Sequence, residues 1–115
     1  MESKAHLRYL RMAPRKVALV AGLVRGKAVG DALNILRYTR KAAARPLTKL
    51  IKSAVANATD LSKGQVDVDT LVVKHISVDQ GPTLRRYMPR AMGRATRINK
   101  KSSHVQVVLA ETKRR

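Results

Sequence analysis

Residues 80–110 contain no acidic side chain, and within them residues 85–101 carry Arg85, Arg86, Arg90, Arg94, Arg97, Lys100 and Lys101. Unpaired charges are too costly to desolvate for such a stretch to enter a core. Whatever else the chain folds into, this segment must stand outside it. Its punctuation argues against a featureless tail. Gly81-Pro82 marks a start, Ala91-Met92-Gly93 marks a tip, and Leu84, Met88, Ala95 and Ile98 can pack across two strands. Strand-like runs flank it on both sides, so residues 80–104 read as one long hairpin arm. With about 12–14 residues a side, at roughly 3.3 Å per residue, it would reach roughly 40 Å. A two-stranded ribbon is marginal in water, and this one repels itself. It is expected to order only where a polyanion surrounds it.

The remainder must supply the core. The chain has 115 residues, 44% of them hydrophobic, which allows one domain over residues 1–115. Phe and Trp are absent, so that core is aliphatic. Cysteine is also absent, which excludes disulfides, thiolate metal sites and cysteine nucleophiles. No apolar run approaches the ~18–20 residues of a membrane span, and the first residues lack the apolar stretch of a signal peptide. A soluble, cytosolic, monomeric protein is expected. The formal net charge of +18 calls for a polyanionic partner, nucleic acid first. A second basic group, Lys4, Arg8, Arg11, Arg15, Lys16, Arg25 and Lys27, is expected to touch phosphate along with the arm.

The pattern along the chain predicts an α+β fold. Residues 3–11 loosely alternate, with Ala5, Leu7 and Tyr9 on one strand face. Pro14 suits the first turn of a helix over 14–25, striped by Val17, Val20, Ala21 and Val24 and ended by a left-handed Gly26. A second helix over 29–38 places Asp31 in its first turn. A third, over 41–61, is striped by Leu47, Leu50, Ile51, Ala54, Val55, Ala58 and Leu61. Pro46 means that this helix either kinks or properly starts there. Leu71–Asp79 and Val105–Glu111 read as strands.

The stretch from Gly81 to Ala95, continued from Arg97 to Val105, closely resembles the hairpin signature of the large-subunit ribosomal protein twenty-two family. Arg15-Lys16-Val17, Val24-Arg25-Gly26-Lys27 and Ser53-Ala54-Val55-Ala56-Asn57-Ala58 match as well, so the resemblance covers essentially the whole chain. It implies three helices packed on a small three-stranded antiparallel sheet, with the basic hairpin protruding. It further implies a structural, non-catalytic role in the large ribosomal subunit, in the cytoplasm. The expected partners are large-subunit ribosomal RNA, neighbouring ribosomal proteins including the fourth, and the nascent polypeptide. By position, Arg85, Arg86, Arg97, Lys100 and Lys101 would hold the ribbon to RNA. Met88, Pro89, Arg90, Ala91, Met92, Gly93 and Arg94 would form a tip lining the exit tunnel, with Arg90 and Arg94 also on RNA. Met92 departs from the basic residue many relatives carry, and offers a flexible apolar contact instead.

Other motifs fail on their chemistry. Gly22-Leu23-Val24-Arg25-Gly26-Lys27-Ala28 looks like a phosphate loop but has three residues between its glycines and Ala28 where Ser or Thr would bind magnesium. His6, His75 and His104 lie on predicted strands without a carboxylate cluster, so no metal, cofactor or catalytic centre is expected. A DNA-bending protein with a β arm is the competing reading, with Met88 or Pro89 as a wedge and dimerisation as its signature. A membrane-active role lacks an apolar face on the arm.

Overall fold

The computed structural model describes residues 2–65, 68–89 and 95–111, of which 84–89 and 95–100 are described through their backbone. In chain order the elements are β1 (Glu2–Leu10), α1 (Pro14–Val24), α2 (Val29–Tyr38), α3 (Ala44–Leu61), a 3-10 turn (Val68–Thr70), β2 (Leu71–Gln80), β3 (Leu84–Pro89), β4 (Ala95–Lys100) and β5 (Ser103–Glu111). The sheet is antiparallel with strand order β1-β5-β2, and β3 and β4 form a separate two-stranded ribbon. This is the α+β arrangement the resemblance implies.

The last strand in sequence is the central one, and it is also the most apolar. Val105, Val107 and Leu109 of β5 are buried, between Ala5 of β1 and Leu71, Val73 and Ile76 of β2. The helices cover this one face. Val17, Val20, Ala21 and Val24 of α1 and Leu47, Leu50, Ile51, Ala54 and Ala58 of α3 meet the strands in a single aliphatic cluster. Burying a Val, Leu or Ile side chain is worth about 1.5–3 kcal/mol, so this cluster holds the body without aromatic residues. Lys4, His6 and Arg8 of β1 alternate onto the uncovered face and are exposed.

The first strand runs Glu2–Leu10 rather than 3–11, the second extends one residue further to Gln80, and three other boundaries differ from the sequence reading for a visible reason. The third helix starts at Ala44 rather than 41, because residues 41–43 form a turn in which Ala44 N–H donates to Lys41 C=O at 3.1 Å. Pro46 falls in the first turn, where its missing N–H costs nothing. Arg25 is extended, so α1 ends at Val24, and Gly26 then takes the left-handed conformation (φ +76°). β5 begins at Ser103, two residues early, because Ser103 pairs with Leu10 on one side and Gln80 on the other.

The molecule is long for its size. Its Cα radius of gyration is 17.5 Å and its extents are 68 × 25 × 17 Å. A compact chain of this length would have a radius of about 13 Å.

Candidate nucleic-acid interface

The ribbon continues the β2–β5 pair. Its strands run in register from Leu84 opposite Lys100 to Pro89 opposite Ala95, with Arg85 opposite Asn99, Arg86 opposite Ile98 and Tyr87 opposite Arg97. Met88 and Pro89, assigned by resemblance to the tip, are the last two positions of β3 and pair with Thr96 and Ala95. Proline is tolerated there because a two-stranded ribbon leaves one edge of each strand unpaired. Arg90, Ala91, Met92, Gly93 and Arg94 lie outside the described residues.

Where the ribbon leaves the body, it is braced by polar groups taken into the interior. Ser102 and Ser103 are buried, and with Ser3 they are the buried polar residues among those described. Ser102 Oγ donates to Pro82 C=O at 2.7 Å, and Gly81 N–H donates to Ser102 C=O at 2.9 Å. Ser103 Oγ donates to Met12 C=O at 2.7 Å. A Cβ at Gly81 would lie 2.6 Å from Ser102 Oγ, so any other residue there would displace the hydroxyl that braces the root. Buried polar groups hold a fold only when satisfied. Ser102 ties the two legs of the root together, and Ser103 ties the root to the segment just past β1.

Beside this root, β1 shifts register against β5 between Leu7 and Leu10. Tyr9 adopts φ +59°, a conformation costing a residue with a side chain roughly 1–2 kcal/mol. Its N–H donates to His104 Nδ1 at 3.0 Å, and its ring stands edge-on to the His104 ring at 4.9 Å. Tyr9 remains largely exposed next to Arg8. The sequence pattern placed Tyr9 on a regular strand face; nothing in that alternation signals a bulge.

The body's basic residues divide by role. Lys4, Arg8, Arg11, Arg15, Lys16, Lys27 and Lys101 are exposed. Arg25, although exposed, donates from Nη2 to Ile76 C=O at 2.8 Å. Gly26 N–H donates to Val73 C=O and Val73 N–H to Lys27 C=O, each at 2.9 Å. The segment 25–27 thus closes the outer edge of β2 across its bulge between Val73 and His75, a structural use for residues read as phosphate contacts. The other edge is held similarly. Asn57 Nδ2 donates to Lys4 C=O and Ser3 Oγ donates to Ala54 C=O, each at 2.9 Å. These bonds fix the strand that presents Lys4, His6 and Arg8.

A further basic surface had no motif to announce it. Arg37, Lys41, Arg45, Lys49 and Lys52 line a groove of about 370 Å³ between the end of α2 and the start of α3. Their positions are scattered through two helices and a turn, and only the packing of α2 on α3 gathers them. His6, His104 and Asp79 line one cavity, but among the described residues no group of three or more His, Asp or Glu side chains is placed to hold a metal ion. No helix among the described residues is long and apolar enough to cross a membrane.

A family model described as Ribosomal protein L22p/L17e matches residues 5–110 of the chain. Large ribosomal subunit protein uL22 of Myxococcus xanthus is 74% identical over 114 residues, covering 99% of this chain and 100% of that protein. The uL22 protein of Anaeromyxobacter sp. (strain Fw109-5) is 66% identical over 105 residues, covering 91% of this chain and 72% of the relative. That of Geobacter sulfurreducens is 55% identical over 111 residues, covering 96% and 98%.

Proposed function

Since this chain belongs to the Ribosomal protein L22p/L17e family, we propose that it grips large-subunit ribosomal RNA through its ribbon and its exposed basic faces, and so supports subunit assembly. The coarser role follows from the family: the chain is a structural, non-enzymatic component of the large subunit of the cytoplasmic ribosome. The observation that carries the finer reading is the paired ribbon β3–β4, rooted on buried serines within a segment free of acids from 80 to 110.

The mechanism is electrostatic and geometric. Arg85, Arg86, Arg97, Lys100 and Lys101 supply charge along the ribbon, and arginine's planar fork bonds phosphate at two points. The aliphatic body anchors one end, while Lys4, Arg8, Arg11, Arg15, Lys16 and Lys27 neutralise phosphate around it. Three tyrosines are too few for base-by-base stacking, so shape and backbone are what is read. The far end, Met88 to Arg94, reaches the nascent-peptide tunnel, near the fourth large-subunit protein.

Sedimentation of a native extract through a high-salt wash tests this reading. The chain is expected to travel with the large subunit. Its recovery as a free species, or with DNA, would overturn it. Removing residues 87–94 is expected to leave assembly intact and to change macrolide sensitivity or peptide stalling. If neither changes, the tunnel assignment fails.

A further inference from the structure

We propose that the groove between α2 and α3 is a second, arm-independent RNA site that holds the ribose-phosphate backbone of one ribosomal RNA strand. The inference rests on the large-subunit reading and assigns a ligand to a surface that reading does not use.

Residues 32–59 contain no acid and carry Arg37, Arg40, Lys41, Arg45, Lys49 and Lys52. Five of these six line the groove, and no aspartate or glutamate does. Arg45, Lys49 and Lys52 recur at the four- and three-residue spacing that puts them on one face of α3. Four residues rise about 6 Å along a helix, a step commensurate with successive phosphates on a strand. Nor do these cations serve the helix: its first turn holds Arg45 and no acid, opposite to what the helix dipole favours. Their concentration raises the energy of the free protein and falls in energy only beside an anion.

The remaining groups favour backbone over base recognition. Thr39 Oγ1 donates to Ile35 C=O at 2.6 Å, and Thr48 Oγ1 donates to Ala44 C=O at 2.8 Å. Both hydroxyl protons are spent on their own helices, so donation to a ligand falls to the cations. Phosphate contacts of this kind position a nucleic acid without reading its sequence. The Arg37 guanidinium, which lines the groove, lies 5.8 Å from the ring centre of Tyr38, a side chain that is 77% exposed. An exposed aromatic and guanidinium pair suits a nucleotide better than an acidic peptide.

The absence of cysteine allows a probe at one chosen place. Full-length Lys49→Cys and Arg97→Cys, each carrying tethered Fe(II)-EDTA, are bound to transcribed bacterial large-subunit rRNA. The Lys49 probe is expected to cut one discrete tract, different from that of the Arg97 probe. In parallel, the variant K41Q/R45Q/K49Q/K52Q is expected to flatten the slope of log affinity against log salt by roughly 3, at about 0.7–0.9 per phosphate contact. A silent Lys49 probe beside an active Arg97 probe, with an unchanged slope, would overturn the groove assignment alone and turn attention to an acidic protein neighbour. Failure of the unmodified chain to bind the transcript would overturn the RNA-binding reading beneath it.

Discussion

The body and the ribbon are built from the same short chain by opposite rules. In the body every strand has a buried face, and the polar groups taken inside, Ser3, Ser102 and Ser103, each find a carbonyl. The ribbon has two strands, no third layer, and arginines where a core would need apolar residues. The body is stable because of what it buries within itself. On the function proposed above, the ribbon is stabilised by the RNA that it enters.

Reversing the ribbon's charge should separate the two parts most sharply. Arg85→Glu/Arg86→Glu/Arg97→Glu is expected to abolish stable incorporation into the large subunit, while the melting temperature of the free protein stays at the wild-type value. Normal incorporation on gradients would break the comparison. The reciprocal change is Ile51→Ala, at a fully buried position. It is expected to cost about 2–5 kcal/mol in denaturant unfolding without altering the salt dependence of RNA binding in the folded fraction.

The root, where the two parts meet, should respond more weakly. Ser103→Ala leaves the Met12 carbonyl without its donor, and a loss of about 1–3 kcal/mol is expected. Hydrogen exchange should show the loosening at residues 10–12 and 101–103; loss spread evenly over the body would mean the serine serves packing alone. Smallest is the ion pair at the far end of the sheet. Lys74 donates to Glu2 and holds its carboxyl below the ordinary value of 4.5, first through that hydrogen bond and then through its charge. A carboxyl depressed in the folded state stabilises above its unfolded value, and the gain is lost as pH falls through the folded one. Being exposed to solvent and screened by it, the pair should shift the acid limb of the melting curve barely at all. Comparison with Glu2→Gln on both sides of pH 4.5 checks it, and a large difference above that pH that fades on acidification would show that the pair is less screened than its exposure implies.

Much of this was legible before any fold was known. Periodic apolar positions marked the three helices, because a helix that buries one face must repeat near 3.6 residues. Gly26 was readable as a left-handed residue, though it donates to Val73 C=O rather than capping the first helix, and the acid-free arm as a projection, because each follows from local sterics or charge. The role of the matched motifs was not readable. Asn57 and Ser3 are polar residues in an otherwise ordinary stretch until β1 lies against α3 and their partners, Lys4 and Ala54, turn out to be 53 and 51 residues away. Nor did the sequence show that Arg25, read as a phosphate contact, also reaches Ile76 C=O.

The sequence by itself determined composition-level facts: an aliphatic core, three helices, a segment that no core can accept, and a charge that demands a polyanion. These are set by neighbours along the chain and by the cost of burying charge. Only the tertiary structure decided that β5 lies between β1 and β2, that two buried serines aim the ribbon, that Tyr9 is turned into a strained bulge against His104, and that five cations from α2, α3 and their turn share one groove. Each of those depends on groups far apart in sequence being brought within a few ångströms, and no local preference encodes that distance.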